Sequence, residues 1–270
     1  MKPDVPLVQI HNATIWRGTT CVFEQLDLTI RQHERVAIVG PNGSGKTTLL
    51  KAINRELYPV ARPDSVFRIL GRDSWNVWEL RKHIGVVSQD LQQRYTPATT
   101  ALEVVVSGFH SSIGVHGTLA KRVNEQQIAA ARETLDKLGI GSLANIALRS
   151  MSTGQQRRCI LARALVHKPQ TLILDEPTSG LDFAASFDYL TRIRRLSDAG
   201  RNILIVTHHL NEIPPEIDRV VLLQNGQIAA DGPKTDVLTD EILSEVYEVS
   251  IRVKEIEGYY LAYPGKSAKT

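Results

Sequence analysis

The run Gly40-Pro41-Asn42-Gly43-Ser44-Gly45-Lys46-Thr47 fits the pattern Gly-x-x-x-x-Gly-Lys-Thr, with Thr48 next in line. It stands between the apolar stretch Val36-Ala37-Ile38-Val39 and a helical pattern. Glycines let a backbone close around phosphate oxygens, turning N–H groups and a helix start toward negative charge. Lys46 has the reach and charge for β- and γ-phosphates, and the Thr47 hydroxyl suits Mg²⁺. The competing reading, a glycine-rich turn that binds nothing, sits poorly with the strand–loop–helix context. A second element supplies the remaining chemistry. Leu172-Ile173-Leu174-Asp175-Glu176 reads as an apolar strand ending in two carboxylates. Asp175 is suited to hold the metal through water, and Glu176 to orient or deprotonate an attacking water. A strand-end Asp-Glu pair alone is an ordinary solvated turn; paired with the glycine loop it points to nucleoside triphosphate hydrolysis.

Such groups need a rigid frame. Val36–Val39, Ile84-Gly85-Val86-Val87, Thr171-Leu172-Ile173-Leu174 and Ile203-Leu204-Ile205-Val206 are short and apolar, with little polar alternation. They read as strands covered on both faces. Helical patterns follow at about 45–55, 155–167 and 183–198. This predicts an α/β fold: a P-loop NTPase core of mainly parallel sheet. Leu7-Val8-Gln9-Ile10 and Leu26-Asp27-Leu28-Thr29-Ile30 differ, reading as partly exposed strands of an antiparallel N-terminal edge sheet. Between about 92 and 150 the strand signal stops and helices are expected at 100–108 and 121–138, an inserted helical subdomain. Asn225-Gly226 predicts a tight hairpin, a small helix is expected near 240–247, and residues 263–270 read as a polar tail. Gly258-Tyr259-Tyr260-Leu261-Ala262-Tyr263-Pro264 fits either a short extra strand or a small contact surface.

Composition removes other classes. The chain has 270 residues, 42% hydrophobic and 23% charged, enough for a sizeable core. A formal charge of +3 is too mild to indicate nucleic acid. Arg157-Arg158 and Lys121-Arg122 are short basic runs that read as solvated or helix-cap charge. Cys21 and Cys159 are far apart, form no metal cluster, and each reads as a small buried apolar residue. The longest apolar runs are strand-sized, far below the roughly 20 residues of a membrane span. The start, MKPDVPLVQI, has no secretory apolar region. The expectation is a soluble chain of a reducing compartment, reaching a membrane only through a partner.

Met151-Ser152-Thr153-Gly154-Gln155-Gln156-Arg157-Arg158 adds a third element. With the two above, it resembles the ATP-binding-cassette (ABC) family, whose signature reads Leu-Ser-Gly-Gly-Gln; the likeness spans essentially residues 5–250. Met151 stands for the leucine and Thr153 for the first glycine. Ser152 can still donate to a γ-phosphate, Gly154 still allows close backbone approach, and the segment also reads as a helix N-cap. The resemblance implies ATP and Mg²⁺ as ligands, with Gly40 to Thr48, Ser152, Gly154 and Gln155 around the nucleotide and Thr47, Gln89 and Asp175 around the metal. It implies Glu176, His208, Gln89 and Lys46 as catalytic groups, and Ser179-Gly180-Leu181-Asp182 as a loop crossing to a partner; His209 receives no role. Adenine stacking falls to Trp16 or Arg17, with packing of Trp16 beneath the edge sheet an equal alternative.

In the family two cassettes join head to tail, so the resemblance also implies a homodimer or a related cassette as partner. It implies one cassette over residues 1–250, the helical subdomain at about 92–150 inserted, and a short extension at 251–270. A single cassette without a membrane span looks like a transporter motor, cytoplasmic and held at the membrane face by an integral permease, with an external substrate-binding protein as a further partner. Glu103 to Gly114 looks like the permease-facing segment of iron-chelate importer ATPases and of molybdenum-type cassettes. There Phe109 and Ile113 fit partner contacts, while Val104, Val105 and Val106 fit internal packing equally well. The alternative is a soluble cassette ATPase acting on nucleic acid or a ribonucleoprotein, against which the chain lacks a second cassette, a coiled insert and a basic arm.

Overall fold

Alternation and burial sort the strands into two kinds. The computed structural model describes residues 5–115, 117 and 119–265. The chain forms two compact units, Met1–Val77 with Asn202–Thr270, and Trp78–Arg201.

The first unit opens with β1 (Val8–Arg17) and β2 (Thr20–Ile30), paired antiparallel. On β2, Phe23, Leu26, Leu28 and Ile30 are buried while Glu24, Asp27 and Thr29 are exposed, the pattern of a sheet with one wet face. β3 (Val36–Val39) is buried at every position, and α1 (Lys46–Ile53) follows the glycine loop. β4 (Val66–Ile69) pairs antiparallel with β1 and completes an edge sheet of order β2-β1-β4.

The second unit runs through α2 (Val77–His83), which begins at the unit boundary, and β5 (Ile84–Val87), then α3 (Gln89–Gln93), α4 (Ala101–Phe109), α5 (Glu125–Lys137) and α6 (Thr153–Leu165). β6 (Thr171–Asp175), parallel to β5, and α7 (Phe183–Asp198) complete it. Among the described residues no strand lies between β5 and β6, so the insert is helical as its sequence predicts. Three helices between β5 and β6 start on reciprocal capping boxes: Thr100 with Glu103, Asn124 with Gln127, and Ser152 with Gln155. Gly108 lets α4 approach α6 closely, since a Cβ there would lie 2.5 Å from the Arg163 carbonyl oxygen. Val104, Val105 and Val106 are buried, so the packing reading holds for them.

The first unit resumes with β7 (Asn202–Thr207), β8 (Arg219–Gln224) and β9 (Gln227–Pro233). β3 lies parallel between β7 and β8, and β9 returns antiparallel through Asn225-Gly226, both at positive φ as this hairpin turn requires. α8 (Lys234–Val237) and α9 (Asp240–Tyr247) follow. The chain then forms a second hairpin, β10 (Ile251–Ile256) with β11 (Tyr259–Pro264); the sequence suggests one strand there at most. The polar tail expected from residue 263 starts later, because Tyr263 and Pro264 pair with Arg252 and Ile251 in the hairpin; the part beyond Gly265 lies outside the described residues. The covered core and wet edge sheet amount to the P-loop NTPase-type α/β fold, with helices inserted.

The cysteines divide. Cys159 is buried, and burial pushes its thiol up to about 12. Cys21 is exposed, contrary to expectation, because it occupies an outward position beside the β1–β2 turn.

Burial acts in the opposite sense on His167, pushing its imidazole down to about 4, with Arg163, His83 and Lys82 adding positive charge nearby. An unfolded histidine titrates near 6.5. Between those values the unfolded chain carries the extra proton, so acidification there favours unfolding; the neutral imidazole contributes fully only above about 6.5. We expect denaturant-derived stability to fall between about pH 7 and pH 5, by up to about 2 kcal/mol from this group. His167→Gln should flatten part of that slope, and an identical pH dependence in parent and variant would contradict the assignment.

Candidate functional site

β3 delivers the loop. Its register with β7 and β8, Val39 opposite Thr207 and Leu222, brings Gly40 and His208 out at the same end of the sheet. A Cβ on Gly40 would stand 2.2 Å from the Leu223 carbonyl oxygen and 2.8 Å from Ser44 Oγ, so backbone fills the space a side chain would take. Gly45 has φ 109, and a Cβ there would lie 2.5 Å from Phe23 Cζ. Gly43 takes φ 84 at the exposed crest beside Asn42, with Pro41 half-buried. Lys46 is only 7% exposed, and its Nζ donates to the carbonyl oxygens of Gly40 at 2.7 Å and Pro41 at 2.9 Å. The ammonium is therefore held inside the loop.

Three features make this loop a fit for a polyphosphate. Ser44 Oγ is buried without a hydrogen-bond partner. α1 starts at Gly45 with no side-chain cap and no acidic residue in its first turn, leaving its orphan N–H groups and positive dipole end open to an anion. The Lys46 charge adds to both. Thr47 is exposed at the helix start, an oxygen ligand of the hard type that Mg²⁺ prefers, while Thr48 is buried behind it.

His208 follows β7, its ring 3.8 Å from that of His209 between centroids and tilted by 42°. The turn is fixed from beneath: Thr207 Oγ1 hydrogen-bonds the buried Glu212 carboxylate and accepts from the His209 N–H at 2.9 Å. Trp16 and Arg17 close β1 opposite Cys21 and Thr20. Trp16 is 46% exposed, so it does not pack beneath the edge sheet.

In the second unit the β5–β6 register sets Val87 opposite Leu174. Gln89 and the pair Asp175-Glu176 therefore emerge at one sheet end. Gln89 is exposed on α3, whose N-cap Ser88 accepts from the Leu91 N–H at 3.1 Å. Glu176 adopts φ 46, a left-handed conformation costing a non-glycine residue on the order of 1 kcal/mol or more. Ser152 Oγ caps α6, accepting from Gln155 N–H at 3.3 Å, while Gln155 Oε1 accepts from the Ser152 N–H at 2.9 Å. Gly154 approaches α7, where its Cβ would lie 3.1 Å from that of Ala185. Asp182 caps α7 through Ala185 N–H at 2.7 Å. Beside it Phe183 and Phe187 stand out, 82% and 62% exposed, with rings 6.1 Å apart.

Three residues that tie these parts together escape the sequence reading. Gln92 Nε2 donates to Gln156 Oε1 at 2.8 Å, and Gln156 Nε2 donates to the carbonyls of Leu148 and Met151. The helix that begins at Gln89 is thus tied to the start of α6. Arg157 is 1% exposed and donates from Nη2 to the Ser179 carbonyl at 3.0 Å. The expectation of a solvated Arg157 is wrong, because its side of α6 is an inward one. Lys121 and Arg122 are exposed as expected. Ile113 is exposed and Phe109 half-buried, on a turn where Arg81 and Arg163 donate to the Ser111 and Ser112 carbonyls, each at 3.0 Å.

An α/β fold with this loop and paired strand ends defines a P-loop nucleoside triphosphatase. A family model described as ABC transporter matches residues 23–179. The ABC transporter ATP-binding protein YlmA of Bacillus subtilis (strain 168), itself uncharacterized, is 34% identical over 253 residues, covering 92% of this chain and 93% of that one. The zinc transport system ATP-binding protein TroB of Treponema pallidum (strain Nichols) is 32% identical over 240 residues, 89% of this chain and 86% of that one. Among solved structures, the dimeric post-hydrolysis state of the ATP-binding cassette MJ0796 bound to ADP and Pi has a TM-score of 0.69 at 26% identity, covering 84% of this chain and 98% of that chain. The chain belongs to the ABC transporter family. It is an ATP-binding, ATP-hydrolysing cassette subunit.

The loop geometry sets a sharp constraint at Gly45, where positive φ and the Phe23 ring both oppose a methyl group. Gly45→Ala should lower ATP affinity about fivefold or more, from a cost of roughly 1–3 kcal/mol. Equilibrium titration with a fluorescent ATP analogue reads this, and an affinity within twofold of the parent would contradict the geometry.

Proposed function

We propose that this chain is the motor subunit of an ABC transporter, driving a separate membrane permease from the cytoplasmic face. The observation that carries the reading is the Gly40–Thr47 loop, with its inward ammonium, orphan Ser44 hydroxyl and uncapped helix start. Gly40, Pro41, Asn42, Gly43, Ser44, Gly45 and Thr48 shape the phosphate cradle, and Lys46 balances charge on the transferring phosphoryl group. Trp16 and Arg17 offer a ring and a guanidinium to adenine. Thr47, Asp175 and Gln89 would hold Mg²⁺, which when bound neutralises phosphate charge. Glu176 accepts the proton of the attacking water, and His208 orients that water and the γ-phosphate.

Ser152, Gly154 and Gln155 serve the nucleotide of a second copy or a related cassette, so one chain holds half of each site. The capping box leaves Ser152 exposed at the front of α6, and the exposed Phe183–Phe187 pair beside Asp182 supports a partner surface on the same side. We take residues 1–250 as the cassette, about 92–150 as its inserted helical subdomain, and 251–270 as a short extension. The half-exposed turn around Phe109 and Ile113 fits a permease contact, rigid enough to pass on motion because Arg81 and Arg163 hold it. The likeness to a zinc-transport cassette favours a metal or metal-chelate cargo, with an external binding protein selecting it.

Glu176→Gln should retain ATP binding and lose turnover by about 10²-fold or more, as removal of a general base does; near-parental hydrolysis would remove Glu176 from its role. The same variant, loaded with MgATP and used to capture partners from detergent-solubilised membranes, should recover a multi-span protein. Recovery of ribosomal or other ribonucleoprotein material instead would overturn the transporter reading.

A further inference from the structure

The second unit carries a cavity that the nucleotide chemistry does not use. It lies among α5, the C-terminal end of α6, the C-terminal part of α7 and Arg201, with a volume of about 370 Å³. Leu138, Leu165, Val166 and Leu196 supply apolar lining; Lys137, Lys168, Arg192, Arg195 and Arg201 supply cations. Glu133 is the one carboxylate among the lining residues.

The plain account of these cations is structural, because helix C-termini attract positive charge. Part of the set is explained that way or by local pairing. Lys137 pairs with Glu133 at 2.6 Å, and Arg192 donates to both Asp188 oxygens at 2.9 and 3.0 Å. The nearby Lys137 holds the Glu133 carboxyl below its usual range, and Lys168 adds to this. Three helix ends contribute roughly half a negative charge each. That total does not balance Lys168, Arg195 and Arg201, which form no ion pair with a carboxylate among the described residues. Arg201 adds a sharper mark: its Nε is buried without a hydrogen-bond partner.

From this we infer that the α5–α6–α7 cavity is a binding site for a small amphiphilic anion, one carboxylate or phosphate group joined to an aliphatic or aromatic body. The volume falls in the range of small-molecule sites. Arginine forks match a pair of oxygens on carboxylate and phosphate alike, and the leucine floor takes the apolar body. A wholly polar ion leaves that floor uncovered, and a neutral apolar molecule leaves the lining cations Lys168, Arg195 and Arg201 unanswered. The site stands at the opposite end of α6 from Ser152, roughly 20 Å along the helix axis, so occupancy and basal ATP hydrolysis can be read separately.

Isothermal titration calorimetry on the full chain, with four probes, tests this. Octanoate and octyl phosphate carry both parts of the ligand, 1-octanol only the body, inorganic phosphate only the charge. At least one of the first pair should bind saturably, one per chain, about tenfold or more tighter than either control, and their ranking separates carboxylate from phosphate. Lys168→Glu and Arg195→Glu, both at exposed positions, should weaken that binding about tenfold each while melting temperature and basal ATPase rate stay near parental. Equal binding of 1-octanol, no saturable binding by either anion, or affinity unchanged by charge reversal would overturn the assignment. So would binding of an acidic peptide such as poly-glutamate without either small anion, since the occupant would then be a protein segment. Loss of turnover in Glu176→Gln leaves these outcomes untouched, so the two readings fail independently.

Discussion

A chain that grips a polyphosphate must point several backbone N–H groups at one small volume, and side chains get in the way. That constraint governs the loop at the end of β3. At Gly40 the intruder would meet the Leu223 carbonyl oxygen, and at Gly45 the Phe23 ring. The loop can be this tight only because β3 is fixed. Its residues are buried throughout and paired on both sides, by β7 and by β8. The same pairing fixes where β7 ends, and so where His208 stands. A phosphate cradle, an inward lysine and a strand-end histidine thus follow from one short run of Val, Ala and Ile held between two neighbours.

The second unit answers a different demand: the candidate groups it carries must stay together. Gln89, Ser152, Glu176 and Asp182 sit at the ends of four elements, and loose ends would not keep register. Two links oppose that. Gln92 and Gln156 join α3 to the start of α6, and buried Arg157 joins α6 to the Ser179 carbonyl in the loop after Glu176. Removing the partner of a buried charge costs far more than a surface pair ever returns, so Arg157 is a stiff tie. The reciprocal Ser152–Gln155 cap does the same at shorter range while leaving Ser152 exposed.

Much of this was legible because the chemistry is local. Glycine spacing, an apolar strand ending in acids, and a Ser-x-Gly-Gln cap are contiguous patterns, and the covered strands announce themselves by lacking alternation. What stayed hidden depends on partners distant in sequence. β4 is a short strand whose reason for existing is β1, far upstream. The turn of the last hairpin is Glu257-Gly258, with Glu257 at φ 52, a poorer turn signal than Asn225-Gly226. Arg157 is missed because α6 buries residues around most of its circumference, so periodicity cannot say which side is water. Cys21 errs the other way: a residue type usually buried sits where β2 faces outward.

We propose that each chain carries two half-sites, a phosphate loop and a Ser152 cap, that serve different nucleotides. Mixing two inactive variants tests this. Lys46→Ala spoils the loop, and Ser152→Arg spoils the cap. If the sites are shared, each variant alone hydrolyses almost no ATP. A mixture then recovers turnover, because one mixed pair unites an intact loop with an intact cap. A Ser152→Arg chain that hydrolyses ATP at the parental rate, or a mixture as inactive as its components although the chains associate, would rule out shared sites.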